Sequence, residues 1–351
     1  MRSSAVGCIV AALAIMGAFG VIIFISINNH PTTRSSIVFK SDWSNSGPPS
    51  EFNDGRAFNK PSGQLMFKTS ETYYDRVQSV ANRWNSRPRI SFTVQMLKKE
   101  GSRSAQKHIS NPTGDEPPAD IWLSSTEELV QNLAATLGPK RVNLEDSESY
   151  VLFPPQPMVF LVRGRVGHEV DSYLRKVNPL PSLPKNQFTF SCADVLKSGG
   201  GESAARYLIW SNNQSGGKKS FETYLKDLKE RGFVKRLKDS GPLAADFDSD
   251  SQLTFVLLHK ALAEREKAKP NSNVHIILPK WTIFERPEAV LLQNGPDRFN
   301  GRSKEFLTFL RSELHLNSVS GSQEIDSVGQ VQNEMRTWEK VFNNSQRLDT
   351  P

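Results

Sequence analysis

One stretch, ADIWLSSTEELVQNLAATLG (residues 119–138), constrains the fold of this chain more than any other. Its first residues suit a short buried strand, and hydroxyl residues and two glutamates follow where a helix would begin. Leu129, Leu133 and Leu137 recur at helical spacing, and a Gly-Pro pair ends the pattern. A strand that leads through a serine loop into a helix is typical of open α/β sheets, which bind ligands at such loops.

The same arrangement occurs earlier in the chain. Residues 65–68 read as a strand, Thr69 and Ser70 follow it, and a helix comes next with apolar residues on one face between Tyr74 and Trp84. Serines at these positions either cap the following helix or offer their hydroxyls to a ligand. Taken alone, Ser124 is more often a helix N-cap than a ligand-binding group.

The N-terminus predicts a membrane anchor. Residues 5–27 contain no charge, and about 20 apolar residues span a bilayer. A cleaved signal peptide would have a shorter apolar core and a small-residue cleavage site. We therefore predict a transmembrane signal anchor at residues 1–28 and place the rest of the chain outside the cytoplasm, on a single-pass cell-membrane protein. Residues 29–64, rich in Pro, Ser, Asn and Gly, read as a flexible tether.

Composition limits the remaining possibilities. About 320 residues follow the anchor, which suits two lobes better than one core. Of two cysteines, Cys8 lies in the anchor and Cys192 has no partner beyond it, so no disulfide and no cysteine-based metal site is predicted. The net charge of +7 is spread along the chain. It favours anionic partners in general but indicates no nucleic-acid motif.

A proline-broken segment, YVLFPPQPMVFLVR (residues 150–163), predicts that the chain crosses from one lobe to the other. We place lobe 1 at residues 65–150 and 271–345 and lobe 2 at residues 164–270, within a binding region of residues 65–345. The other predicted strands cover residues 89–97, 188–191, 274–278 and 289–292. The other predicted helices cover residues 168–177, 203–211, 220–231, 253–265, 304–314 and 331–342.

No catalytic or metal motif is complete. The glycine run at residues 197–202 lacks the Gly-Lys-Ser/Thr of a P-loop. Asp246, Asp248 and Asp250 begin like a calcium loop, but its required glycine and glutamate are Ser251 and Leu257 here. No histidines have metal-ligand spacing, and no Gly-x-Ser-x-Gly occurs. The sequence therefore predicts a protein that is not an enzyme and carries no cofactor.

Three local matches resemble two-lobed extracellular solute-binding proteins of the periplasmic type II class. The closer resemblance is to the binding-protein half of the family often joined to von Willebrand factor A domains. The matching segments are residues 119–125, FTFSCADVLKSGGGESAARY (residues 188–207) and ILPKWTIFERP (residues 277–287). Asp194, Ser198 and Gly201 fit the second motif, whereas Ser191, Cys192, Val195, Gly199 and Gly200 depart from it. In the third, Trp281 replaces a glycine.

The resemblance implies an α/β, two-lobed periplasmic-binding-protein-like type II fold with an N-terminal transmembrane helix. It also implies a small polar or anionic ligand in the cleft between the lobes, closed by bending near residues 159–162 and 274–278. The predicted ligand-binding residues are Thr69, Ser70, Ser124, Ser125, Ser198, Gly201 and Trp281. Trp281 would either stack on a sugar ring or fill the space of the missing glycine, and filling is the favoured interpretation.

Two functions stay open. The first is a membrane-anchored receptor that hands a small-molecule ligand to a membrane transporter or sensor. The second is a ligand-free, degenerate domain used for extracytoplasmic protein interaction, which the lost motif groups favour. No nucleic-acid partner is expected in either case.

Overall fold

A computed structural model describes residues 63–112, 116–164, 167–195, 198–215, 220–234, 239–249, 251–293, 300–316, 319–325 and 331–343. All of them belong to one compact unit, Asp54–Pro351. The predicted anchor and nearly all of the predicted tether lie outside the described residues. No helix among the described ranges has the length and apolarity that a membrane crossing requires.

The described elements form two five-stranded sheets, a two-stranded sheet of β9 and β12, and helices. The strands are β1 Gln64–Thr69, β2 Thr93–Met96, β3 Ile121–Ser124, β4 Tyr150–Leu152, β5 Gln156–Arg163, β6 Phe190–Cys192, β7 Phe255–His259, β8 Val274–Ile277, β9 Trp281–Thr282, β10 Phe284–Glu285, β11 Glu288–Leu291 and β12 Gln323–Glu324. The helices are α1 Tyr74–Asn85, α2 Ser102–Ser110, α3 Glu127–Leu137, α4 Gly167–Leu174, α5 Gly199–Gln214, α6 Phe221–Glu230, α7 Ser240–Ser249, α8 Lys260–Lys267, α9 Asn300–Glu313 and α10 Val331–Asn343.

The first sheet has the strand order β2-β1-β3-β11-β4. Its β1 is parallel to β2 and β3, whereas β11 returns antiparallel between β3 and β4. Side chains alternate along β1: Leu65 and Phe67 pack on one face with α1 and α9, and Met66 packs on the other with α2 and α3. The sheet is therefore covered on both faces, as parallel strands require.

The second sheet has the order β10-β5-β7-β6, and β8 also pairs with β5. Along β5, Phe160 and Val162 belong to the core that contains α5, α6 and α10. Val159 and Leu161 belong to the core on the opposite face with α7 and α8. We call the two sheets with their helices the first half and the second half of the structure.

The predicted helix at residues 253–265 is wrong in its first part, because Phe255–His259 is strand β7 and only Lys260–Lys267 is helical. The first four residues of β7, 255–258, are all apolar because both faces of the strand are buried, and periodicity alone does not distinguish such a strand from a buried helix. The helices α2 and α7 and the strands β9, β10 and β12 were not predicted.

The chain passes between the halves three times. After β4 it crosses at residues 153–155, which include Pro154 and Pro155, it returns between β10 and β11, and it crosses again between α9 and α10. The first two crossings lie side by side, because the Phe153 N–H donates to the Pro287 carbonyl at 2.9 Å. Residues 159–162 and 274–277 lie inside the second sheet, so they are not the crossings that the sequence indicated.

Two segments assigned by sequence to lobe 1 contact the second half. Strand β8 pairs with β5, and helix α10 packs against α5 and α6 through Trp338 and Phe342. Strand β8 and helix α10 therefore pack with the second half, whereas the sequence assigned all of residues 271–345 to lobe 1. The division into lobes itself stays a prediction.

Candidate functional site

Five polypeptide segments meet between the two halves. They are the loop after β1, the starts of α2 and α3 in the first half, and the starts of α5 and α7 in the second. Strand ends β7 and β10 adjoin them through His259 and Glu285. We call this region the inter-sheet site and describe it from its residues upward.

Ser124 and Ser125 lie where β3 ends and α3 begins, as the sequence predicted. Ser124 Oγ accepts a hydrogen bond from the Thr126 N–H at 3.2 Å, so it orders the turn before the helix. Ser125 Oγ lies 2.8 Å from Ser102 Oγ at the start of α2. Both serines are buried, and both are already hydrogen-bonded within the protein.

Ser198 is the N-cap residue of α5, and its hydroxyl lies 3.0 Å from Ser240 Oγ at the start of α7. The next residue, Gly199, reaches the first half: a Cβ atom there would lie 3.3 Å from Ser125 Oγ. The structure therefore brings Ser125 and Ser198 into one region, although they lie far apart in sequence.

Close packing explains why residue 201 is a glycine. A Cβ atom there would lie 2.1 Å from the Asp194 carbonyl oxygen, so only glycine lets α5 begin against that loop. The Ser198 N–H donates to the same carbonyl at 3.0 Å. The motif glycine thus positions the helix start.

Thr69 ends β1 and Ser70 follows it, and both are almost completely buried, with 1% and 2% of their surface exposed. Neither hydroxyl oxygen has a hydrogen-bond partner among the described residues. The next residue, Glu71, reaches the second half, where its Oε2 accepts the Gly241 N–H of α7 at 3.2 Å. Burial, and then the neighbouring Asp239 carboxylate, raise the pKa of Glu71.

Trp281 lies in the short strand β9 and is partly buried against the core of the second half. Its ring centroid is 6.1 Å from that of Trp210 in α5. No described contact joins it to the predicted serines. Trp281 therefore packs against apolar and aromatic side chains, as the prediction that it fills space requires.

Sequence reasoning missed the acid–imidazole pair at the inter-sheet site. Glu285 Oε2 lies 3.1 Å from His259 Nδ1, without hydrogen-bond alignment, and Ser203 donates its hydroxyl to Glu285 Oε1. Burial, and then Glu128, raise the pKa of Glu285 well above its usual range. Burial lowers the pKa of His259 to about 4, so the imidazole is neutral at pH 7.

Several polar atoms of this region are buried without a hydrogen-bond partner among the described residues. They are Thr69 Oγ1, Ser70 Oγ, Tyr73 OH, His259 Nδ1 and Nε2, and Glu285 Oε2. An unsatisfied buried polar group costs about 1–3 kcal/mol, and native proteins contain few of them. Their concentration in one region indicates a site whose hydrogen bonds are completed from outside the chain.

Ion pairs join the halves around this site. Arg103 of α2 contacts Glu202 of α5 at 2.5 Å, and Arg206 of α5 contacts Glu128 of α3 at 2.7 Å. Burial opposes ionisation of Glu202, but the two arginines lower its pKa, so the carboxylate stays charged. On another side, Arg76 of α1 contacts Glu264 of α8 at 2.8 Å.

One cluster has the composition of a metal site. Glu100, His108 and Glu116 offer ligand atoms within 4.8 Å of one another. The buried Lys68 already places its Nζ 2.5 Å from Glu100 Oε1 and 2.7 Å from Glu116 Oε2. The ammonium group therefore supplies the cation that these carboxylates need, and a metal ion would have to displace it.

A cavity of about 420 Å³ lies elsewhere, between α1, the start of α8 and the end of α9. None of the predicted site residues lines it. Its cations are paired: Arg76 and Lys260 with Glu264, and Arg83 with Glu313.

Solved structures identify the fold. A periplasmic thiamin-binding protein matches with a TM-score of 0.59 and 11% identity, over 80% of this chain and 96% of its own length. The chain has the fold of the periplasmic solute-binding proteins. The sulfate-binding protein SubI from Mycobacterium tuberculosis H37Rv matches with a TM-score of 0.52, 14% identity and coverages of 80% and 91%. The fructose-6-phosphate-bound periplasmic binding protein AfuA from Actinobacillus pleuropneumoniae matches with a TM-score of 0.53 and 13% identity, over 80% of this chain and 99% of its own length.

At these identities the likeness concerns the fold alone. No protein-family profile matches the chain, and no curated protein sequence does. The predicted type II binding-protein fold is thus confirmed at the level of the fold, whereas the link to von Willebrand factor A partners is not.

Proposed function

We propose that this chain is an extracytoplasmic solute-binding protein that holds a small polar ligand between its two halves, and that it acts without catalysis. The observation that carries this proposal is the group of unpartnered buried polar atoms at the inter-sheet site. They lie where β1 and β7 end and where α5 and α7 begin, and sheets of this class bind ligands at the ends of their strands.

The wider setting of the proposal follows from the sequence. Residues 1–28 anchor the protein in the cell membrane, residues 29–64 tether it, and the bound solute passes to a membrane transporter or sensor. Its relatives would be the binding-protein halves of the family often joined to von Willebrand factor A domains. Fractionation tests the anchor: recovery of the mature chain in the soluble fraction, with an N-terminus beyond Asn28, would exclude it.

A thermal-shift screen of the purified chain tests solute binding. A ligand at 100 times its dissociation constant should stabilise the protein by about 2.7 kcal/mol. Ser70→Ala should weaken the response, because each lost hydrogen bond to a neutral ligand costs roughly 0.5–1.5 kcal/mol. Ser312→Ala is the matched control, since this exposed serine of α9 bonds only to its own helix, at Phe309.

The alternative function, a ligand-free interaction domain, has an observation of its own in its favour. The predicted ligand hydroxyls of Ser125 and Ser198 pair with Ser102 and Ser240, and the two halves contact each other directly at Gly199. If this alternative holds, no solute raises the melting temperature, and Ser125→Ala and Ser198→Ala lower stability instead of affinity.

A further inference from the structure

The hydrogen-bonding groups of the inter-sheet site narrow the class of solute, an inference that rests on the proposed function. Besides Thr69, four side chains there carry buried polar atoms without a hydrogen-bond partner among the described residues: Ser70, Tyr73, His259 and Glu285. Each of the four is at most 4% exposed. Ser70 and Tyr73 precede α1 in the first half, whereas His259 ends β7 and Glu285 lies in β10 of the second half. Both halves therefore offer hydrogen bonds to a solute between them.

The four groups lie close together. Glu285 Oε2 is 3.1 Å from His259 Nδ1. Tyr73 adjoins Glu285, since burial and then this acid raise the pKa of the Tyr73 hydroxyl. The Tyr73 N–H in turn donates to the Ser70 carbonyl at 3.1 Å. The spare hydrogen-bonding atoms of the two halves thus belong to one region.

All four groups favour an uncharged state. Ser70 and Tyr73 carry hydroxyls. Burial lowers the pKa of His259 to about 4, so the imidazole is neutral at pH 7. Burial, and then Glu128, raise the pKa of Glu285 well above its usual range, which favours the neutral carboxylic acid. A hydroxyl, a neutral imidazole and a carboxylic acid can each both donate and accept a hydrogen bond.

The charged side chains around these groups are already paired. Those that act on Tyr73 and Glu285 are Arg76, Arg206, Glu128 and Glu202. Arg76 contacts Glu264 at 2.8 Å. Arg206 contacts Glu128 at 2.7 Å and Glu202 at 3.3 Å. These four charges therefore compensate one another or a neighbour.

Glu71, beside Ser70, has partners as well. Its carboxylate accepts the Gly241 N–H at 3.2 Å, and it lies in the fields of the cations Lys99 and Arg265 as well as of the Asp239 carboxylate. Burying a charge without a counter-charge costs far more than burying a neutral group that is hydrogen-bonded. A solute that carries hydroxyls loses only its hydrogen bonds to water, and the four spare groups replace them.

We propose that the inter-sheet site binds an uncharged polyhydroxylated solute, a neutral sugar or polyol, whose hydroxyl groups hydrogen-bond to Ser70, Tyr73, His259 and Glu285. Hydroxyls of the solute both donate and accept, so they match these groups in either direction. Glu285 serves as a donor: its Oε1 already accepts the Ser203 hydroxyl, which leaves Oε2 to carry the proton of the neutral acid.

Calorimetric titration of the purified full-length chain tests the charge class with matched solutes. The neutral solutes are glucose and glycerol. Their cationic analogues are 6-amino-6-deoxyglucose and 3-amino-1,2-propanediol, and their anionic analogues are glucose 6-phosphate and glycerol 3-phosphate. We expect glucose or glycerol to bind roughly tenfold or more tightly than both of its charged analogues, because each analogue would bury an unpaired charge.

Two tyrosine variants test the recognition groups. Tyr73→Phe should weaken binding of the neutral solute roughly twofold to tenfold and keep the melting temperature, because the lost hydroxyl has no partner among the described residues. Tyr224→Phe is the matched control. Its buried hydroxyl donates to Ser211 Oγ at 2.7 Å, so its removal should lower the melting temperature and keep the affinity. If Tyr73→Phe fails to fold, Ser70→Ala takes its place with the same expectation.

Glu285→Gln distinguishes a neutral acid from a carboxylate at this position. The amide accepts through its oxygen and donates through its nitrogen, as the neutral acid accepts and donates through its two oxygens. The neutral solute should therefore bind to Glu285→Gln within about threefold of its affinity for the unchanged protein. A loss of roughly tenfold or more would show that the site uses an ionised Glu285 and would overturn the proposal.

The remaining outcomes separate this proposal from the proposed function. A charged analogue that binds as tightly as its neutral parent would overturn the neutral assignment and keep the solute-binding function. Unchanged affinity in both Tyr73→Phe and Ser70→Ala would also overturn the assignment. Binding of none of the six solutes would reject the assignment as well. A charged solute found in the thermal-shift screen would then keep the proposed function, whereas a screen without any stabilising solute would reject both.

Discussion

The Ser125 hydroxyl oxygen lies 3.3 Å from the position that a Cβ atom would take at Gly199. This contact joins the loop after β3 in the first half to the first turn of α5 in the second. Leu129 and Ser102 adjoin the same position at 3.6 Å, so a Cβ atom would already be in contact on all three sides and a branched side chain would have to displace its neighbours.

Gly199→Val should therefore separate the halves without unfolding either one. We expect a larger radius of gyration in small-angle X-ray scattering and unchanged helix content by circular dichroism, because the added atoms overlap the other half only. Gly301→Val is the control, since nothing lies within 4 Å of a Cβ there. Identical scattering of Gly199→Val and the unchanged protein would show that the contact does not hold the halves together.

Gly201→Ala should lower the free energy of unfolding by about 1–3 kcal/mol, as overpacking typically does. The Cβ would lie 2.1 Å from a backbone carbonyl oxygen, that of Asp194, which cannot move aside as a flexible side chain would. Urea unfolding measures the effect. Gly301→Ala should cause no loss, and an equal loss in both variants would disprove the role of the close approach.

Much of this architecture follows from residues near each other in sequence. The strand–serine–helix units at β1–α1 and β3–α3, and the proline-broken passage from β4 to β5, were predicted from local patterns and are confirmed. Strand β7 was not, because a run buried on both faces has the same apolar character in a strand as in a helix.

The site was harder to predict for a related reason. With residues 253–265 read as a helix, His259 had no place at a strand end, and nothing in sequence links it to Glu285. The unpaired state of the Thr69 and Ser70 hydroxyls depends on the other half of the molecule as well. Hydrogen-bond satisfaction is a tertiary property, and sequence alone contains no signal for it.

Ser70→Ala should leave the stability of the unliganded protein unchanged or slightly higher, because it removes a buried hydroxyl that has no partner among the described residues. Ser191→Ala is the matched comparison. Its hydroxyl is buried in β6 and donates to the Val234 carbonyl at 2.7 Å, so its removal should cost about 1 kcal/mol. Chemical unfolding of both variants decides the point, and a comparable loss for Ser70→Ala would mean that its hydroxyl is satisfied.

The contribution of His259 to stability should fall as pH decreases from about 6.5 to about 4, because the unfolded chain binds a proton that folded His259 does not. Its depressed pKa contributes stability that is present above pH 6.5 and is lost as pH falls through the folded pKa, on the order of 3 kcal/mol in full. Glu285 has the opposite sign: its raised pKa stabilises the folded protein at low pH, and that contribution disappears as pH rises through its folded pKa, so Glu285 opposes His259 in the same range.

Unfolding free energies measured across this range test the assignment to His259. His259→Gln should make the slope of the unfolding free energy against pH less positive between pH 4 and pH 6.5, whereas His275→Gln, at a half-buried position, should change the slope less. Equal slopes in the unchanged protein and in His259→Gln would show that another group titrates.

Amide hydrogen exchange, with and without the solute that stabilises the protein most in the thermal-shift screen, tests the central claim of solute binding most directly. We predict that protection increases at the backbone amides of Ser70, Ser125, Gly199, Gly200 and Gly241, because these groups meet between the halves. Protection confined to the cavity near Arg76 and Lys260, or no change anywhere, would contradict solute binding at the inter-sheet site.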